Sequence, residues 1–314
     1  MTNRIQRFIA FLLVLCIPIF AIAGCTNNDV ANAANQVTTN ANGAYSIDTK
    51  TTTPEGKLDV YMLDIGQGDA ILLKVGDEYS MIDTGDIEHR ENIVAQLKTM
   101  GVTKLKNIII THPHADHMGG FYAIAKAMPI EHVYDDGIAV DNNMYKTYEK
   151  WIEKNKIQRT TLRSGDVVDF GHGAVFVVYA PWVEPLTDKK GETDLNNNSI
   201  VGKLIFGKFS MLFTGDAELQ EEKKLIKEQN SRLFSRILKV GHHGSRTSSS
   251  EDFLKSIKPE SALISNGMYN KYGHPHDVTL RRLQENNIAI YRTDTMGRIH
   301  ISTDGNEWQI TTER

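Results

Sequence analysis

"THPHADH", residues 111–117, places three histidines and an aspartate within six positions, directly after the apolar run "LKNIII" (105–110). A charged, imidazole-rich cluster at the end of a buried strand is costly unless something compensates it, and a metal ion does so. His112 and His114 lie two apart and can present their rings to one ion, while Asp116 and His117, further along the turn into a helix, can serve a second. Pro113 fits a non-helical loop. The blander alternative is a polar loop in which Asp116 caps the next helix.

Two later stretches end strands in the same manner. "SMLFTGD" (210–216) puts Asp216 just past one strand, and "ILKVGHHGS" (237–245) puts His242 and His243 past another. Each is ordinary on its own, since a Thr-Gly-Asp turn often caps a helix and a His-His-Gly is often a loop detail. With the first cluster they make three strand ends that contribute imidazole or carboxylate, which is how open α/β sheets build sites.

The surrounding pattern supplies those strands. "KLDVYMLD", "DAILLKV" and "YSMIDT" suggest an antiparallel start, and "ENIVAQLKTM" follows with Ile93, Val94, Leu97 and Met100 at helical spacing before the stop at Gly101. Strands at "NIIITH" and "EHVYD" then alternate with helices at 118–127 and "MYKTYEKWIEKN". The second half repeats the plan. It has strands near 174–180, 200–206 and 209–215, the helix "AELQEEKKLIKEQ", "RILKV", a helix near 252–258, "SALIS", a helix near 277–287, and the strands "IAIYRT", "GRIHIS" and "EWQITT". Two strand sets interleaved with helices predict an α/β fold of two central sheets with helices outside.

Taken together, "LDIGQGDAIL" (63–72), "MIDTG" (81–85), "THPHADHMGG" (111–120), "NNNSIV" (196–201), "MLFTGD" (211–216), "LKVGHHGSRTSSS" (238–250) and "YGHP" (272–275) resemble the metallo-β-lactamase superfamily. Within it they are most similar to the nuclease-like domain of the ComEC competence proteins and its stand-alone relatives. The resemblance implies an αββα sandwich over residues 58–314 and two divalent ions. His112 and His114 match the ligands of one ion, Asp116 and His117 those of the other, Asp216 the bridging carboxylate, and His242 the last histidine, with His243 as the alternative. Asp116 also counts among the catalytic groups. Asp83 matches a position close behind the metals, although it could equally cap a turn.

One departure from the superfamily pattern lies between Asp116 and Asp216, where a further ligand histidine is expected and the chain has "NNNS". His172 reads as a hairpin turn and His132 as the start of a strand. Asn196, Asn198 or Ser199 would then fill that corner with oxygen, or leave it to water. An oxygen-richer shell moves preference from zinc toward manganese, while the histidines keep zinc in play.

The N-terminus reads as an export signal. Arg4 and Arg7 precede "FIAFLLVLCIPIFAIAG" (8–24), and Ile22, Ala23, Gly24 and Cys25 resemble a lipobox, so residues 1–24 would be removed and Cys25 lipidated. The alternative is an uncleaved anchor helix; either way the domain is expected outside the cytoplasm, tethered to the cell membrane. Residues 25–57, rich in Asn, Thr, Ala and Gly, read as a disordered tether. With only Cys16 and Cys25, the domain has neither disulfides nor a thiol mechanism. Removing the signal takes the formal charge from −4 to −6, so any grip on a polyanion must be local.

The expected reaction is hydrolysis by metal-activated water. His243 or His274 could protonate a leaving oxygen, and Arg246, Tyr269, Lys271 and Tyr272 could hold a phosphate and stack on a base. The leading reading is a phosphodiesterase or nuclease on extracellular nucleic acid. The alternatives are a phosphodiesterase on phosphorylcholine-bearing teichoic acid and a non-catalytic, metal-stabilised binding lipoprotein. With no spans beyond the signal, uptake of DNA would need a partner.

Overall fold

The structure is a computed structural model that describes residues 54–314 and, further upstream, the backbone of two short strands. Those are β1 (Asn35–Thr39) and β2 (Tyr45–Thr51), an antiparallel pair forming a separate sheet. Apart from these two strands and residues 54–57, the expected tether of 25–57 lies outside the described residues. The signal segment and Cys25 lie outside the described residues.

The first sheet is built from β3 (Leu58–Met62), β4 (Ala70–Val75), β5 (Glu78–Thr84), β6 (Leu105–Ile109), β7 (Ile130–Asp135) and β8 (Gln158–Thr161). Between them run helices α1 (Arg90–Thr99), α2 (Ala115–Met118), α3 (Phe121–Ala127) and α4 (Asn143–Asn155). The second sheet takes β9 (Val167–Gly171), β10 (Ala174–Ala180), β11 (Val201–Phe206), β12 (Phe209–Phe213), β13 (Ile237–Lys239), β14 (Ser261–Ile264) and β15 (Ala289–Arg292). Its helices are α5 (Leu219–Gln229), α6 (Glu251–Ile257) and α7 (Asp277–Glu285). After a short α8 (Thr293–Met296), the hairpin β16 (Ile299–Thr303) and β17 (Trp308–Thr312) returns to the first sheet.

The sheet orders are β17-β16-β3-β4-β5-β6-β7-β8 and β15-β14-β13-β12-β11-β10-β9. Each sheet is antiparallel at one side and parallel where helices form the crossovers, β5 to β8 in one and β12 to β15 in the other. Side chains alternate between two cores. In β10, Ala174, Phe176 and Val178 face the inter-sheet core, while Val175, Val177 and Tyr179 pack under the outer helices with Leu225, Phe253 and Leu283. On the far side, Leu72 and Met81 meet Ile93 and Leu97 of α1 and Phe121 of α3. This is the expected αββα sandwich. No helix of the described residues is long and apolar enough to cross a membrane.

Candidate metal centre

The strand ends converge as the sequence pattern requires. β5 ends at Asp83 and Thr84, the loop after β6 carries Thr111–His114 into α2, Asp216 follows β12, and His242 and His243 follow β13. Two glycines permit the close approach. Gly215 has φ +48, and a Cβ there would stand 2.9 Å from Ser199 and 3.0 Å from Thr111. Gly68, in the β3–β4 hairpin, lies against Asp116, where a Cβ would come within 2.5 Å of the backbone oxygen.

Two groups of metal-capable atoms form around Asp216, each group gathered within 4.8 Å: His112, His114 and Asp216, and Asp116, His117, Asp216 and His243. Asp216 faces them with different oxygens. Its Oδ1 is 3.2 Å from His117 Nε2 and 3.6 Å from His243 Nε2, and its Oδ2 is 3.8 Å from His112 Nε2 and 3.6 Å from His242 Nε2. Asp116 Oδ2 stands 3.3 Å from His243 Nε2. His117 Nε2, His243 Nε2 and Asp216 Oδ1 are buried without a hydrogen-bond partner. Such orphaned atoms cost about 1–3 kcal/mol each, and a shared divalent cation removes that cost, so the donor set fits an ion.

The other ring nitrogens are anchored, which leaves Nε2 facing the centre. His117 Nδ1 is 2.8 Å from Asp83 Oδ2, His243 Nδ1 is 2.9 Å from the Ser265 carbonyl, and His242 Nδ1 is 2.9 Å from Glu218 Oε1. Asp83 is held in turn by the Thr111 amide and hydroxyl, each donating at 2.7 Å. It therefore stands behind His117 and aims its ring.

Electrostatics follow from burial and neighbours. Burial alone would raise the Asp216 carboxyl, but the His117 and His243 imidazoles outweigh it and hold it well below the usual carboxylate range. The reverse holds at His117, where burial is overcome by Asp216 and Asp83 and the imidazole is pushed well above its ordinary value. His112, buried beside His117, is pushed down.

Several expectations change at this level. The histidine that joins Asp116 and His117 is His243, where the sequence reading preferred His242. His242 instead meets Asp216 at Oδ2, the oxygen nearer His112, at 3.6 Å. Asn198 does not face the centre: its amide is used by Leu186 and the Asp194 carbonyl, which lock the preceding loop. Ser199 Oγ accepts from the Asp216 amide at 3.1 Å and lies 3.3 Å from His112 Nδ1, so it supports the ligand-type residues from behind. Asn196 does line the central cavity of about 350 Å³, together with Gln67, Tyr272 and His274.

His274 is pushed down to about 4 by burial and by His243, His242 and His276. This keeps the imidazole neutral near pH 7, with its ring on the cavity wall. His243 has Nδ1 on the Ser265 carbonyl and Nε2 beside Asp116 and Asp216, so as a metal ligand it would have no proton to give. Tyr272 stacks on His274 with ring centres 5.6 Å apart, and Lys271 sits 5.0 Å over the Tyr272 ring. Tyr269 is 96% exposed and lines no part of this cavity, and Arg246 faces a neighbouring one. His132 and His172 lie elsewhere, in β7 and in the β9–β10 hairpin turn.

Sequence reasoning missed three residues. Asp69 is buried, with Oδ1 3.5 Å from His243 Nδ1 and Oδ2 3.8 Å from His117 Nδ1. Lys239, fully buried, pairs with Asp69 and donates to the Gly215 carbonyl at 3.0 Å. Burial opposes its charge, yet Asp69 and Asp216 hold the ammonium above the ordinary lysine range. A third group, Asp69, Asp83 and His117, thus already has a resident cation. Glu218 completes the set. The signals were present in "GQGDA", "GDAE" and "LKVGHH", as charged residues abutting strand ends.

Known proteins share this chain's sequence pattern and its fold. The chain is 30% identical over 247 residues to competence protein ComA of Neisseria gonorrhoeae, covering 78% of this chain and 32% of ComA. It is 29% identical over 264 residues to ComE operon protein 3 of Bacillus subtilis, covering 78% of this chain and 33% of that protein. The chain thus matches about a third of the length of these curated relatives. Among solved structures, the metallo-beta-lactamase fold protein YhfI from Bacillus subtilis superposes with a TM-score of 0.54 at 11% identity, over 78% of this chain and 100% of YhfI. A family model described as the metallo-beta-lactamase superfamily matches residues 63–267. By the extent of that match, the chain belongs to the metallo-beta-lactamase superfamily, a fold that generally serves metal-dependent hydrolysis.

Proposed function

We propose that the chain is a metal-dependent phosphodiesterase that cleaves nucleic acid outside the cytoplasm, anchored to the membrane through lipid on Cys25. The observation that carries the reading is the set of bare, buried donor atoms on His117, His243 and Asp216 beside Asp116. The likeness to competence proteins supports a nucleic-acid substrate. Asp116, His117, Asp216 and His243 would hold one divalent ion. His112, His114 and Asp216 would hold the other, with His242 approaching as the fourth group, in the corner for which the sequence offers no further histidine. When bound, such ions supply Lewis acidity to water and to a phosphoryl oxygen.

The chain's own residues do the rest. Asp83, Glu218 and the Ser265 carbonyl fix the imidazoles, so little reorganisation accompanies the reaction. His274, on the cavity wall, is placed to accept a hydrogen bond from the incoming water. Tyr272 offers an aromatic face at the mouth. The test is to strip the full chain of metal, restore zinc or manganese, and assay bis(4-nitrophenyl) phosphate, single- and double-stranded DNA, and a phosphorylcholine-bearing teichoic acid. Hydrolysis of the small diester and of DNA is expected. Cleavage of teichoic acid with DNA untouched would transfer the assignment to a cell-wall diester, and metal binding without any turnover would leave a binding lipoprotein.

A further inference from the structure

Beside the metal centre lies a second, larger cavity of about 890 Å³, lined by Lys223, Lys224, Lys227, Arg246 and Arg282 against only two carboxylates, Glu218 and Glu228. This is a concentrated positive surface in a chain whose formal charge is −4. None of the five cations is ion-paired with a carboxylate among the described residues. The three lysines and Gln220 recur at the i, i+3, i+4, i+7 spacing of one face of α5. Like charges at that spacing repel, and a polyanion laid along the face would relieve that repulsion. Lys224 is steadied 4.0 Å over the Trp182 ring, and Arg282 is fixed by the Ser248 carbonyl at 3.0 Å.

The two cavities meet at Glu218. Its Oε1 lies 2.9 Å from His242 Nδ1 and accepts from the Thr247 hydroxyl at 2.8 Å, and it lines the cationic cavity while His242 lines the catalytic one. We infer that the cationic cavity is the track for a nucleic-acid strand, its phosphates along Lys223, Lys224, Lys227 and Arg246 while the scissile diester lies against the His/Asp centre. Tyr272, 51% exposed on the wall of the catalytic cavity, adds a stacking face that a base uses and a glycerol–phosphate polymer cannot. This inference rests on the phosphodiesterase reading and names how that site holds its substrate.

The test measures binding rather than turnover. A labelled single strand with a phosphorothioate backbone, which resists cleavage and at about 20 nucleotides exceeds common strand-binding site sizes, is titrated into the metal-loaded full chain. Fluorescence anisotropy is followed across a salt series. The variant K223Q/K224Q/K227Q should bind at least about tenfold more weakly, and its log K against log salt slope should be shallower by about 2, near 0.7 per lost phosphate contact. A control with K126Q/K150Q, on α3 and α4 of the other layer, should bind as the parent does. Matching melting curves establish that each variant is folded. Unchanged affinity and slope in the triple variant, equal weakening in the control, or no strand binding by the parent would overturn the inference. So would lysine-dependent binding of poly(glycerol phosphate) in place of the strand. Hydrolysis of bis(4-nitrophenyl) phosphate is followed in parallel, so that loss of the track and loss of the hydrolase reading are told apart.

Discussion

Asp216 reaches both groups through different oxygens, so its removal and that of a single-group histidine have different consequences. Asp216→Asn is expected to purify with neither ion, whereas His243→Ala and His112→Ala each retain about one, as elemental analysis of the metal content would read. Behind the ligand-type residues, Glu218→Gln and Asp83→Asn free His242 and His117 to swivel. Each should weaken metal affinity about 10–100-fold, measured by competition with a chelating dye. The cluster at 112–117 was legible because four such side chains within six positions at a strand end have no common structural use. The choice between His242 and His243 was not, because it turns on the backbone. Both residues are left-handed, with φ 47° and 53°, and their rings stand 6.1 Å apart at 70°. Consecutive αL histidines carry no local sequence signal, and so the rings' directions emerge only from the fold. Asp69 and Lys239 were hidden for a related reason: a buried charge in a strand-end motif looks like any turn residue until its partner is in place.

Elements with strong apolar alternation could be read directly. β10, "AVFVVYA", is buried along its whole length and splits its side chains between two cores. Phe176→Ala should destabilise the fold by about 3–5 kcal/mol, read from the denaturant midpoint, because the inter-sheet core cannot collapse around the loss. The short edge strands β8, "QRTT", and β9, "VVDFG", have no such pattern and were not anticipated; their pairing is set by neighbours. In β11, Lys203 is buried, donating to the Arg232 carbonyl and, at 3.1 Å, to that of Phe234. Burial and the nearby Arg232 push its amine down to about 8 from 10.5. The unfolded chain therefore holds this proton more tightly. Below pH 8 folding carries the full penalty, and the penalty fades as pH rises toward 10.5. Compared with Lys203→Met, the parent should gain on the order of 3 kcal/mol across that window, measured by paired urea titrations.

At the scale of the molecule, the centre ties the two layers together: the 111–117 loop comes from one sheet, and Asp216, His242 and His243 come from the other. Any ion held there would cross-brace the sandwich. Chelation should lower Tm by about 5–10 °C for each ion present at a hundredfold excess over its Kd, and re-addition should restore it, as calorimetry of the full chain would show. The overall architecture was legible because strands and helices alternate in two sets, each closing on a parallel sheet.

The buried ammonium of Lys239, paired with Asp69 beneath the pocket, bears on how such a molecule is made. It is a counter-ion encoded in the polypeptide, present from synthesis and impossible to wash out. Its positive charge offsets Asp69 whether or not a divalent ion is present, so the floor of the pocket does not depend on an exchangeable cation.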